Sequence, residues 1–211
     1  MTLILDFIPV GAFQMNSYLV GCEQTGKGAI IDAGSEANRI VEMARAKGIQ
    51  IEQIFQTHGH VDHVGAIKDV VSQTGSRVFL HKSELPVYES APQQGLMFGL
   101  SGIEVPVPDC FVSEGMELKV GKMTARVIET PGHTPGGVVY YFETEKKAFV
   151  GDTLFAGSIG RTDLPGGNYQ TLMASLARLM LLPDDTTVYS GHGPKTTIGS
   201  EKRSNPFLQE L

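Results

Sequence analysis

The sequence predicts an α/β fold. Three observations carry that reading. Short apolar runs of strand character alternate with stretches whose apolar residues recur at helical spacing. Five of the six histidines fall in loops just after such strands. The composition, 211 residues with 41% hydrophobic and 19% charged, is that of an ordinary globular chain. No linker, repeat, charge block or low-complexity segment divides the sequence, so residues 1–211 read as a single domain.

At the amino terminus, Met1 to Pro9 is apolar but carries Asp6, lacks a positive first segment and shows no cleavage site. It does not read as a signal peptide. No stretch reaches the roughly 18 apolar residues that span a bilayer. Lys and Arg number 17 against 23 Asp and Glu, a formal charge of −6, and no basic run stands out. Nucleic acid and membrane are therefore not expected partners. Two cysteines, Cys22 and Cys110, lie far from the histidine loops and read as reduced thiols of a cytoplasmic protein.

Ser17–Cys22 and Ala29–Asp32 read as buried strands, and Asp32-Ala33-Gly34 as a tight turn. Ala37, Ile40, Val41 and Ala44 recur at helical spacing, with Gly48 as the stop. The strand Ile51–Phe55 delivers Gln56-Thr57-His58-Gly59-His60-Val61-Asp62-His63-Val64-Gly65. A helix is expected from about Ala66 to Thr74, ending at Gly75, and then a strand, Arg77–His81. Residues 90–109 hold three prolines and three glycines around Leu96, Met97, Phe98, Leu100 and Ile103. They read as a long loop packed on its own core, with a lid or a subunit contact as alternatives. Met116–Val120 and Met123–Glu129 form a hairpin about Gly121-Lys122. Next come Thr130-Pro131-Gly132-His133, strands Val138–Phe142 and Lys147–Val150, and Gly151-Asp152-Thr153. A helix from about Tyr169 to Leu182 and a strand, Thr187–Ser190, lead to Gly191-His192-Gly193-Pro194. Tyr18 and Tyr140 sit in strands and read as core.

His58, His60, His63, His133 and His192, with Asp62 and Asp152, thus share a placement at strand ends. If the strands share one sheet edge, the loops converge. Left unpaired in a core, such a set would cost several kcal/mol in desolvation, so a metal site is the better reading. One catalytic zinc needs about three protein ligands. Seven candidates suit two divalent ions, with Asp152 shared between them because its two oxygens can bind two cations. The set is all nitrogen and oxygen, which zinc, iron and manganese tolerate; zinc is the first expectation. His81 lies outside the motifs. Asp32 and Asp163 read either as partners that orient ligands or as turn residues.

The order His-x-His-x-Asp-His, Gly-His, Gly-Asp-Thr, Gly-His resembles the metallo-β-lactamase superfamily. The resemblance implies an αββα sandwich of two mixed sheets flanked by helices. It implies a first ion on His58, His60 and His133 and a second on Asp62, His63 and His192, with Asp152 bridging. Asp62 and Asp152 are then the catalytic carboxylates. Gly151-Asp152-Thr153-Leu154-Phe155, Ser158 to Pro165 and Gly191 to Gly199 resemble the compact glyoxalase II-like (hydroxyacylglutathione hydrolase-like) branch. That branch implies hydrolysis of an S-acyl thioester such as S-lactoylglutathione by a hydroxide held between two ions. The larger enzymes carry a C-terminal helical domain that binds glutathione, and none is expected in these 211 residues, where little follows Phe207. The sequence has Arg161 and Asp163 where those enzymes place a lysine and a tyrosine. Arg161, Lys195 and Arg203 are candidate anchors for an anionic substrate, or else solvated surface cations. The rival readings are a mononuclear-iron persulfide dioxygenase, using His58, His133 and Asp152, and a metal-binding domain without turnover.

Overall fold

A computed structural model describes residues 3–209; Met1 and Thr2 of the apolar leading run and the last two residues lie outside the described residues. The first sheet holds β1 (Leu3–Val10), β2 (Met15–Cys22), β3 (Lys27–Ile31), β4 (Gln50–Phe55), β5 (Arg77–His81) and β6 (Cys110–Val112), in that spatial order. Strands β1 to β3 are antiparallel neighbours, and β3 to β6 run parallel. The second half supplies β7 (Glu117–Val120), β8 (Met123–Glu129), β9 (Val138–Phe142) and β10 (Lys147–Gly151). A two-stranded ribbon of β11 (Leu154–Phe155) and β12 (Ser158–Ile159) precedes β13 (Thr187–Ser190) and β14 (Thr196–Thr197). The second sheet is ordered β14-β13-β10-β9-β8-β7, with one parallel pair, β10 and β13.

Outside the first sheet lie α1 (Ala37–Ala46), α2 (Val61–Val64), α3 (Ile67–Thr74), α4 (Leu85–Glu89) and α5 (Ala91–Met97). Outside the second lie α6 (Tyr169–Leu179) and α7 (Ile198–Ser204). The result is the αββα sandwich, and period-two burial explains it. In β9, Val138, Tyr140 and Phe142 enter the layer between the sheets, while Val139 and Tyr141 enter the layer under α6. In β3, Ala29 and Ile31 face the second sheet and Ile30 faces α1. On α6, Leu172, Leu176 and Leu179 form one fully buried stripe, each contributing about 1.5–3 kcal/mol by burial.

Several elements differ from the sequence reading. The leading apolar run, given no strand assignment above, forms β1, an edge strand, which accommodates Pro9 and leaves Phe7 49% exposed. The helix expected from about Ala66 to Thr74 is α3, and a separate single turn, α2, precedes it inside the histidine motif. Residues 90–109 are not all loop. Helix α5 takes Pro92 in its first turn, where a missing N–H costs nothing. Ile103 then packs back onto the core under the first sheet. Helix α6 ends at Leu179, and Leu181 and Leu182 tighten into shorter-range turns ahead of Pro183. Tyr18 and Tyr140 are core, and both cysteines are free thiols. Among the described residues, no helix is long and apolar enough to cross a membrane.

The two sheets are pinned together at one edge. Tyr140 Oη donates to the Gln56 carbonyl at 2.8 Å, and Val138 N donates to the Thr57 carbonyl at 2.9 Å. Tyr18 Oη donates to Ser190 O at 2.6 Å, and Asn16 N to Gly191 O at 2.7 Å. These bonds fall where β4 and β13 end, so the loops beyond them meet.

Candidate metal centre

All seven expected side chains are brought together there. His58, His60 and His133 form one group and Asp62, His63 and His192 a second, the nitrogen or oxygen atoms within each lying within 4.8 Å of one another. Asp152 stands between the groups. One oxygen is 3.3 Å from His63 Nε2, and the other is 3.9 Å from His133 Nε2 and 3.6 Å from His192 Nε2. Asp62 Oδ2 is 3.1 Å from His192 Nε2 and 3.8 Å from His63 Nε2.

The residues fit a metal. His58 Nε2 is buried without a hydrogen-bond partner, and His63 Nε2 and Asp152 Oδ1, 3.3 Å apart, are buried facing only each other, a costly arrangement that a cation relieves. His60 Nδ1 and His133 Nε2 are 3.1 Å apart. Two nitrogens bound to one ion at zinc–nitrogen lengths and tetrahedral angles stand about 3.3 Å apart.

Three of the inward nitrogens are set by what holds the opposite side of the ring. His63 Nδ1 meets Asp32 Oδ2 at 2.8 Å, His133 Nδ1 the Arg161 carbonyl at 2.7 Å, and His192 Nδ1 the Phe13 carbonyl at 3.1 Å. Donation outward leaves the Nε2 lone pair free to face the centre. Asp32 is itself tightly built in. Oδ1 accepts from Thr57 N at 2.7 Å and Oδ2 from Thr57 Oγ1 at 2.6 Å, with the backbone in the left-handed region at φ 59°. Of the two aspartates read as orienting or turn residues, Asp32 does both. Asp163 instead pairs with the exposed Arg161 guanidinium at 2.7 and 2.8 Å, which pulls its carboxyl down to about 2.

Electrostatics separate the two groups. Burial, reinforced by neighbouring histidines, holds His58 well below the usual imidazole range and brings His60 down to about 4. Burial also lowers His133. Burial works against a proton on His63 and His192 too, but carboxylates outweigh it. Asp152, Asp62 and Asp32 hold His63 well above its ordinary value, and Asp62 and Asp152 raise His192. Burial pushes the Asp62 and Asp152 carboxyls up, yet the histidines, His63 foremost, bring both below the usual range. The first group is thus neutral at pH 7, while the second carries proton charge balanced by carboxylates.

Small residues keep the centre compact. A Cβ on Gly191 would lie 2.2 Å from Asp152 Oδ1 and 2.6 Å from His63 Cε1. A cleft of about 440 Å³ opens onto His133, Asp152 and His192, walled by Phe155, Ile159, Pro194 and Arg161. Lys195 and Arg203 are not among its lining residues, and Arg203 reaches back toward Asp184 and Gly199. His81 lies apart, with Nε2 3.0 Å from Glu129 Oε1.

The family model of the Metallo-beta-lactamase superfamily matches residues 10–192, which hold both groups and Asp152. The chain belongs to that superfamily. Among relatives of this metallo-beta-lactamase superfamily member is hydroxyacylglutathione hydrolase GloC of Haemophilus influenzae, 41% identical over 97% of each chain. Two solved structures are also similar. The B3 metallo-beta-lactamase BLEG-1 has a TM-score of 0.90 at 37% identity, covering 97% of this chain and 99% of its own. TTHA1623 in a di-iron-bound form has 0.89 at 40% identity, covering 96% and 100%. The sandwich is therefore the metallo-β-lactamase fold, in a superfamily that binds divalent metals.

Proposed function

We propose that this protein is a binuclear metallo-hydrolase of S-acyl thioesters, with S-lactoylglutathione as the representative substrate. The observation that carries the reading is Asp152, set between two three-residue groups with one oxygen toward His63 and the other toward both His133 and His192. His58, His60 and His133 would hold one ion, Asp62, His63 and His192 the other, and Asp152 both. Two divalent ions there supply a nucleophilic water at neutral pH and an electrophile for the substrate carbonyl. Zinc suits the donor set, and the di-iron form of a similar structure makes iron a real competitor.

The chain's own residues favour a thioester over an amide. A thiolate of pKa near 8.5 leaves without a strong proton donor. Asp62 and Asp152, the carboxylates facing the centre, are held in the ionised form and are poor acids. Phe155, Ile159 and Pro194 offer an apolar wall for the acyl or thiol arm. Arg161 stands at the cleft edge, already paired with Asp163, so an anionic glutathione arm would compete with that carboxylate. The name of the Haemophilus relative supports a glutathione-derived substrate, and a cytoplasmic setting belongs to the same reading.

The test pairs two assays on one purified sample: S-lactoylglutathione hydrolysis, and oxygen uptake with glutathione persulfide. Hydrolysis with two ions per chain is the expected result. Oxygen uptake with one iron per chain would replace the proposal by the persulfide dioxygenase reading. Neither activity with full metal loading would point to a binding domain.

A further inference from the structure

Glu84 is a buried acid that plays no part in the chemistry above. Its side chain is inaccessible to solvent, in the short turn Lys82–Glu84 between β5 and α4. Both oxygens are used. Oε1 accepts from Gly59 N at 3.0 Å, and Oε2 accepts from Gly136 N at 2.7 Å. Gly59 lies between His58 and His60, on the loop after β4 of the first sheet. Gly136 lies three residues beyond His133, on the loop after β8 of the second. One carboxylate therefore spans the two loops that carry the first three-histidine group, and these loops belong to different sheets.

The surrounding glycines show that the fit is close. A Cβ at Gly59 would come within 2.6 Å of Tyr88 N, and one at Gly136 within 2.6 Å of Glu84 N. Both loops thus rest directly on the backbone of residues 84–88. Val138 N also donates to Thr57 O, but at the bases of the loops, whereas Glu84 acts one residue from His58 and from His60.

We propose that Glu84 is a positioning residue that fixes the separation of the His58–His60 loop from the His133 loop, and so pre-organises one metal position selectively. A carboxylate is required because both donors are backbone N–H groups; it accepts at each oxygen, whereas an amide must turn an NH₂ toward one of them. The inference rests on the reading of His58, His60 and His133 as ligands to one ion. It predicts that the partner position, built by Asp62, His63 and His192, is insensitive to Glu84.

The experiment is stepwise zinc binding by chelator competition on the full chain, wild type beside Glu84→Gln. Partners that orient ligands from outside typically shift affinity about 10–100-fold. One binding step should weaken by that factor while the other stays within about threefold. Two wild-type steps with both unchanged in Glu84→Gln, or both weakened alike, would overturn the role of Glu84 alone. A wild-type chain that binds no zinc would instead overturn the ligand assignment beneath it. Hydrogen exchange on the metal-free wild type gives an independent reading that needs no variant. The Gly59 and Gly136 amides should open together with the same protection, and unrelated exchange of the two would overturn the clamp.

Discussion

Replacing Asp32 with Asn isolates what an orienting carboxylate does for this centre. Asn tolerates left-handed backbone, so the swap adds little strain at φ 59°. The side-chain oxygen can still accept from Thr57 N, as Oδ1 does. An NH₂ then replaces Oδ2, which accepts from both Thr57 Oγ1 and His63 Nδ1. To meet that NH₂, His63 must give up its Nδ1 proton and keep its remaining proton on Nε2, the nitrogen 3.3 Å from Asp152. The lone pair offered to a metal is lost. Metal affinity should fall about 10–100-fold. Two buried hydrogen bonds to a charged group, at about 1.5–3 kcal/mol each, are also removed or inverted. The metal-free protein should lose about 3 kcal/mol, a fall in Tm of about 6–12 °C for a chain of this size. Chelator competition and thermal denaturation of the metal-free protein read the two effects. Wild-type affinity within twofold in a folded Asp32→Asn protein would refute the tautomer argument.

Gly191→Ala should cost at least about tenfold in metal affinity, because its Cβ would displace Asp152 and His63; unchanged metal content after dialysis would contradict this. Tyr140→Phe removes the fully buried hydroxyl that donates to Gln56 O and should cost about 1–3 kcal/mol in denaturant unfolding, with little change in metal binding. Filling the Asp62–His63–His192 position at pH 7 should release protons, because His63 and His192 are raised in the metal-free protein. Filling the His58–His60–His133 position should release almost none, because those histidines are lowered and already neutral. As pH falls from 6.5 toward 4, the His60 contribution to metal-free stability is lost, since the unfolded chain takes up the proton first. Calorimetry in buffers of different ionisation enthalpy separates the two releases, and equal release at both steps would contradict the assignment.

Most of the longer strands were legible because buried strands here are short apolar runs bounded by polar or glycine residues. Ile51–Phe55 and Val138–Phe142 need no tertiary information to be recognised. The centre was legible for the same reason: its residues sit in dense motifs at strand ends. What escaped depends on long-range contacts. β1 is a strand because β2 pairs with all of it, while its own pattern is blurred by Asp6 and Pro9. Helix α5 hides in a Gly- and Pro-rich stretch whose prolines and glycines happen to fall where a helix permits them. Glu84 stands in Lys-Ser-Glu-Leu-Pro, which reads as solvated surface. No local signal marks it as buried, because its partners are backbone amides 25 and 52 residues away. Asp32 was visible as a turn former or as a partner orienting some ligand, but that the ligand is His63, 31 residues away, was not. Of the three basic residues singled out from sequence, only Arg161 reaches the cleft, since α7 carries Arg203 toward Asp184.

The central claim is two ions joined through Asp152 in one hydrolytic centre. Titrating metal-free protein with zinc while following S-lactoylglutathione hydrolysis tests it most directly. The account predicts activity that climbs to a break at two equivalents per chain, and loss of both that break and the activity in Asp152→Ala. Full activity at one equivalent, or an Asp152→Ala protein that keeps two ions and its rate, would contradict it.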